Sequence, residues 1–271
     1  MSTPMWFVSM LKRLFPARFA FARLTHVPGV RQAVDYSLFR GDDILYLPKT
    51  EVIRVDAPIE NSGSLAAPAQ VVEHFVRAAH YRWIMNVCIC RDANHCRDYP
   101  IELGCLFLGQ SVLRINPQLG RLATEAEALA HVQRCREAGL VHLIGRNRLD
   151  AVWLDAHPGD RLMTVCNCCP CCCLWRILPE LDHTIGGKVS RMPGVSVAVT
   201  PDCVGCGVCA DGTCFVGAIR MVDGRAVIGD ACRGCGRCAE ACPAGAIEVR
   251  VADPHYVEHA IARLAPRVDV T

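Results

Sequence analysis

The chain lacks a long uninterrupted hydrophobic run. The apolar, aromatic stretch at residues 5–24 is broken by Lys12, Arg13, Pro16 and Arg18. A membrane-spanning helix needs about 18 uncharged residues, so none is expected. An excess of one charge is also missing. The formal net charge is +2, too near neutral for a nucleic-acid partner. There is no G-x-G-x-x-G turn, no P-loop and no C-x-x-C-H attachment site. Nucleotide, flavin and haem binding therefore have no support. Global disorder is excluded as well, because hydrophobic residues make up 52% and charged residues only 21%.

What the chain has is cysteine, 19 of them. A secreted chain would use them in disulfides. Here the number is odd, the residues crowd at spacings of one to three, and no secretory signal is legible ahead of them. Crowded thiols suit a shared metal centre better than a set of unstrained disulfides. A reducing compartment, the cytoplasm, is expected.

Four regions follow from the pattern. Residues 1–65 read as a basic, aromatic leader and linker, with Lys12, Arg13, Arg18, Arg23, Arg31 and Arg40 against Asp35 in the first 40 positions. A basic, aromatic helix over residues 5–24 can lie on a membrane surface or dock on a partner. Residues 51–55 alternate like a strand, and 58–63 read as a loop. Residues 66–190 form a cysteine-rich module. It holds a helix over 68–82 and a second from Thr124 to Gly139, whose start has the Thr124/Glu127 capping-box signature. A buried strand follows at 140–144, with His142 as a core histidine and Cys135 as a core thiol on the second helix. Residues 191–252 form a third unit, and 253–271 a closing helix and tail. The fold class expected is α+β.

Two cysteine runs in the third unit carry the strongest signal. The first is Cys203, Cys206 and Cys209, then Cys214 after four residues. The second is Cys232, Cys235 and Cys238, then Cys242-Pro243 after three. Three thiols at C-x2-C-x2-C spacing wrap one side of a cubane cluster, and a short loop cannot bring the fourth round. Zinc favours two C-x2-C pairs separated by a longer loop, which these triplets are not. The glycines at 205, 207, 234 and 236 free the backbone to bend. Gly217-Ala218-Ile219 and Gly245-Ala246-Ile247 repeat after each run, and Asp223-Gly224 reads as a hairpin turn.

This region resembles the bacterial two-[4Fe–4S] ferredoxin domain over roughly residues 200–250. The resemblance implies a pseudo-twofold, βαβ-like repeat in which the fourth cysteine of each run serves the other cluster. Cluster one would then take Cys203, Cys206, Cys209 and Cys242, and cluster two Cys232, Cys235, Cys238 and Cys214. The chain departs from the pattern at Cys214, reached after four residues rather than three, and at Phe215, where proline is usual. Arg233 and Arg237 beside the ligands of cluster two favour its reduced state, so it is expected to have the higher potential.

Ten further cysteines lie upstream: Cys88, Cys90, Cys96 and Cys105, then Cys166, Cys168, Cys169, Cys171, Cys172 and Cys173. They are candidates for an extra metal site, a third iron–sulfur cluster or zinc, with the remainder as buried thiols. If 166–173 is helical, Cys166, Cys169 and Cys173 share one face and Cys168 and Cys172 another. The Arg91-Asp92 pair after Cys90 reads as a surface ion pair, with tuning of a cluster as the alternative. The phrases CICR…CLFLG, GLVH and CNCCPCCC resemble a module that precedes ferredoxin domains in uncharacterised iron–sulfur proteins of anaerobes; this names no reaction.

The function expected is a relay of single electrons between a redox donor and an acceptor reductase. The alternatives are an oxidoreductase, in which an upstream cluster meets a substrate, and a sensor whose clusters are read out structurally.

Overall fold

The computed structural model describes residues 2–49, 53–55 and 68–271. Its centre is a seven-stranded sheet in the order β5-β3-β4-β7-β6-β1-β8. These strands are β1 (Asp43–Tyr46), β3 (Arg82–Met85), β4 (Leu106–Leu108), β5 (Gly120–Leu122), β6 (Val141–Arg146), β7 (Met163–Cys168) and β8 (Val189–Arg191). All neighbours are antiparallel except β1 and β8, which run parallel. The central strands are apolar on both faces, as sheets covered on both sides must be. Leu106, Phe107, Leu108, Ile144 and Val165 are fully buried.

A three-stranded sheet joins β2 (Ile53–Val55), β12 (Ile247–Val251) and β9 (Val195–Val199) in the order β2-β12-β9. Between β9 and β12 lies the hairpin of β10 (Ile219–Val222) and β11 (Arg225–Ile228). Its turn puts Asp223 at φ +47° and Gly224 at +73°, the backbone of a two-residue primed turn.

The helices are α1 (Met5–Leu14), α2 (Arg18–Leu24), α3 (Pro28–Val34), α4 (Ala69–Ala78), α5 (Ile89–Ala93), α6 (Glu125–Glu137), α7 (Arg148–Trp153), α8 (His183–Gly186), α9 (Arg237–Glu240) and α10 (Tyr256–Leu264). The capping box of α6 forms: the Glu127 N–H donates to Thr124 Oγ1 at 3.3 Å, and the Thr124 N–H donates to Glu127 Oε2 at 2.8 Å. Gly139 follows that helix at φ +75°. The closing helix is α10, whose Tyr256, Val257, Ala260 and Leu264 pack into the main core with α4. Among the described residues no helix is long and apolar enough to cross a membrane.

Several local expectations change. Helix α4 stops at Ala78 and the chain turns into β3, because the run 82–85 is needed as a sheet neighbour of β4 and β5. The expected strand at 51–55 is seen as β2 over Ile53–Val55; its first two residues and the loop at 58–63 lie outside the described residues. The segment expected as a leader holds three helices and also β1, which sits between β6 and β8 inside the central sheet. Its four side chains are all buried, a pairing across about a hundred residues that local pattern does not reveal.

The turn before β1 carries a pH-sensitive carboxyl. Asp42 is buried, and its Oδ1 accepts the Arg148 N–H at 2.7 Å while Oδ2 has no partner. Burial pushes this carboxyl up to about 7, against the pull of the Arg148 amide and the charges of Lys188, Arg146 and Arg148. Between about pH 4 and 7 the folded chain holds a proton that the unfolded chain has released, so stability falls as pH rises through that window. Asp42→Asn keeps an accepting oxygen and removes the loss. The variant is expected to gain on the wild type by up to about 4 kcal/mol between pH 4 and pH 8. Guanidinium titrations of both proteins at the two pH values check this; an unchanged difference would contradict it.

Candidate metal centres

The two C-terminal runs adopt the same backbone. Gly205 and Gly234 both have φ +71°, and Gly207 and Gly236 have +78° and +77°. The chain curls at each run so that amides face sulfur. Cys203, Cys206, Cys209 and Cys242 gather round one pocket, with Val204, Ala226 and Ala246 beside them. Cys214, Cys232, Cys235 and Cys238 gather round a second, closed by Tyr46, Phe215 and Val216. Each run thus sends its last cysteine to the other pocket. The N–H of Ala246 donates to Cys242 Sγ and that of Ala218 to Cys214 Sγ, each at 3.3 Å, and the Gly234 N–H donates to Cys232 Sγ at 3.4 Å.

Four soft sulfur donors with backbone N–H groups aimed at them form a donor set of the kind cubane clusters use. The amides of Ala226 and Gly205 hold the Cys203 thiol below its ordinary value. Burial pushes Cys235 up to about 12 and raises Cys238 further. Such thiols ionise only with a bound cation, so loading of the second pocket releases protons. The free space at the two pockets is small, about 10 and 20 Å³.

The ten upstream cysteines divide differently from their order in sequence. Cys96, Cys169, Cys171 and Cys172 come together, with all four Sγ atoms within 4.8 Å of one another. Leu103, Cys135 and Leu140 wall this set. Cys135 is a core thiol, fully buried and pushed up to about 12 by that burial.

The other six face elsewhere. The segment 166–173 is not helical, so the helical grouping of its cysteines does not arise. Cys166 and Cys168 lie on β7, where a period of two sends both side chains to one face, and the turn that follows carries Cys169, Cys171 and Cys172 away. Cys105 immediately precedes β4, Cys88 is the N-cap of α5, and Cys90 lies within α5. Cys173 opens the turn of 3₁₀ helix at Leu174–Glu180. Around this set Cys88 neighbours Cys90, Cys105 neighbours Cys166, and Cys166 neighbours Cys168. Cys168 Sγ lies 3.1 Å from Cys173 Sγ, and Cys90 feels the charge of Cys173. The six thiols close into a ring on the wall of a cavity of about 460 Å³. The opposite wall is apolar and comes from α1–α3, with Leu14, Phe15, Phe21 and Val34 among its residues.

Sequence reasoning missed two buried polar residues here. Arg91 is fully buried, not half of a surface pair; Asp92 pairs instead with Lys12 at 2.5 Å. The Arg91 guanidinium donates from Nη1 to the Asn167 carbonyl at 2.8 Å and from Nη2 to the Leu103 carbonyl. Burial pulls its pKa down, but the electrostatic pull of the Cys88, Cys169, Cys168 and Cys105 side chains more than reverses that. Its place directly after Cys90 was the signal. The second is Tyr46, also fully buried, whose hydroxyl has no partner. Burial raises its pKa, and the charges of Cys173, Cys168 and Cys235 add to this, so it stands between the ring and the second C-terminal pocket. Arg237 bridges similarly. It donates to the Gly139 carbonyl at 2.9 Å and to the Tyr99 hydroxyl, next to the four-thiol upstream set. His142 is a core histidine, as expected, with Nδ1 on Asn167 Oδ1 at 2.8 Å. His95 stands in a loop at φ +49°.

Against known families, a model described as 4Fe-4S binding domain matches residues 226–248. That segment carries Cys232, Cys235, Cys238 and Cys242. The chain carries an iron–sulfur domain of ferredoxin type. It therefore binds at least one [4Fe–4S] cluster, and its many cysteines and this domain support an electron-transfer role. No curated protein and no solved structure matches the chain.

Proposed function

We propose that the protein is an iron–sulfur electron carrier with three four-thiol cubane sites, relaying single electrons between a donor and an acceptor reductase. Cluster one is held by Cys203, Cys206, Cys209 and Cys242, and cluster two by Cys214, Cys232, Cys235 and Cys238. Cys96, Cys169, Cys171 and Cys172 hold the third. The observation that carries this is the exchange of Cys214 and Cys242 between the two C-terminal pockets, since crossed fourth ligands keep two clusters close enough for electron transfer. The ferredoxin-type domain spans about 191–252 and the cysteine-rich module 66–190. The chain works with a redox partner protein in the cytoplasm. Its exposed Val204 and Val208 beside cluster one offer an apolar contact, and the basic residues of α1–α3 offer an electrostatic one to an acidic partner or a membrane face.

Charge separates the two C-terminal sites. Arg191, Arg233 and Arg237 act on the thiols of cluster two, against Arg225 at Cys203. Positive charge favours the reduced cluster, so cluster two is expected to have the higher potential. Anaerobic purification with iron and sulfide counts, followed by a spectrally resolved redox titration, tests both parts. About twelve irons per chain or more are expected for the three sites, with two distinct potentials for the C-terminal pair. A single shared potential contradicts the charge argument, about eight irons contradict the third site, and fewer contradict the paired sites.

A second function has one specific observation in its favour. The cavity of about 460 Å³ beside six thiols is the kind of space an oxidoreductase offers a small substrate, fed by the ferredoxin-type domain.

A further inference from the structure

The ring of six thiols is not needed by any of the three cubane sites above, and it poses a charge problem. Arg91 is wholly buried, and an arginine is always cationic. Among the described residues it pairs with no carboxylate; its two hydrogen bonds go to carbonyls, and its Nε has no partner. An uncompensated buried charge is strongly destabilising. Arg91 lines the same cavity as Cys88, Cys90, Cys105, Cys166, Cys168 and Cys173, and three of these thiols act on it directly. The balancing negative charge must come from sulfur.

Neutral thiols would leave Arg91 uncompensated. Six bare thiolates would repel one another far more than one guanidinium could offset. Metal cations bound among the thiolates resolve both difficulties. The number of donors selects the kind of metal centre. Zinc uses four ligands held about one ion, whereas these six soft donors are spread along the wall of one large cavity, as a polynuclear centre requires. Tyr46, a wall of the second C-terminal pocket that also packs in one core with Cys168 and Cys173, keeps a buried hydroxyl without a partner. Such donors commonly serve the sulfurs of a cluster. Space is ample, about 460 Å³ against about 10 and 20 Å³ at the C-terminal pockets.

We propose that Cys88, Cys90, Cys105, Cys166, Cys168 and Cys173 hold an additional iron–sulfur centre, with Arg91 as its buried counter-ion and one side open to the apolar cavity. This goes beyond the electron-carrier function, which needs only the three four-thiol sites.

The test uses the full chain purified without oxygen, with iron, zinc and acid-labile sulfide measured per chain. The wild type is expected to hold about sixteen irons or more, by four-iron steps. The double variant Cys105→Ala/Cys166→Ala is expected to lose at least about four of them, while the signals of the C-terminal clusters persist. Arg91→Met, which removes no ligand, is expected to lose iron from the same centre. An unchanged iron count in the double variant overturns the proposal. So does zinc in place of iron, or a Cys168–Cys173 disulfide in the anaerobic protein. Should the double variant fail to fold, the single variant Cys173→Ala decides, and an unchanged iron count there overturns the proposal. Failure of the electron-carrier function would register elsewhere, as missing C-terminal cluster signals.

Discussion

Replacing Cys214 with alanine is expected to remove about four irons per chain, and to remove them from the pocket of the other run. Cys214 belongs by sequence to Cys203, Cys206 and Cys209, but it stands with Cys232, Cys235 and Cys238. The mirror variant, Cys242→Ala, is expected to empty the pocket of Cys203, Cys206 and Cys209. The effect on folding should differ between the two. The second pocket is walled by Tyr46, Phe215 and Val216, which belong to a core shared with the central sheet. The first is more open, with Cys206 exposed. Cys214→Ala is therefore expected to lower the denaturation midpoint more than Cys242→Ala. Resonance Raman or EPR spectra identify which cluster survives. If Cys214→Ala instead spared the second cluster and abolished the first, the crossed assignment would be wrong.

Gly205→Ala is expected to be the most damaging single-methyl change in the C-terminal domain, and Gly207→Ala its control. Both glycines have positive φ, +71° and +78°. A Cβ at Gly207 meets nothing within 4 Å, so alanine there pays only the left-handed backbone penalty, on the order of 1 kcal/mol. A Cβ at Gly205 would lie 2.1 Å from the Gly224 carbonyl oxygen in the β10–β11 turn. That oxygen is backbone and cannot swing aside. Either the cysteine run or the hairpin must move, at a cost on the order of several kcal/mol, comparable with the whole stability of many domains. Loss of iron from the first pocket should follow. Chemical denaturation and iron counts on the two variants give the comparison; equal behaviour would mean the turn yields easily.

The two C-terminal triplets are legible in the sequence because their spacing is local and each run encodes its own curl; the crossing of Cys214 and Cys242 is implied by the resemblance to two-cluster ferredoxins and not by spacing. The Thr124/Glu127 cap, the Asp223-Gly224 turn and helix α10 were legible for the same reason. The upstream cysteines were not. Cys96 joins Cys169, Cys171 and Cys172 across more than seventy positions, and no local pattern encodes that meeting. The apolar run at 163–168 fits a buried strand as well as a helix, and only its neighbours β4 and β6 decide for a strand. With that period of two, Cys166 and Cys168 turn to the ring, and the helical grouping fails. Arg91 looked like a surface residue because arginine usually is one; its burial follows from thiols brought in by three other segments.

The position of β1 bears on how the chain can be divided. Asp43–Tyr46 lies between β6 and β8, and β2, a few residues on, pairs with β12 of the ferredoxin-type domain. A piece cut to begin at the cysteine-rich module would leave β6 and β8 with bare edges, open to pairing with other chains. It would also strip a neighbour from the C-terminal sheet. The first 55 residues act as a clasp closed on both halves, so the smallest unit that can keep all its sulfur sites in place is close to the whole chain.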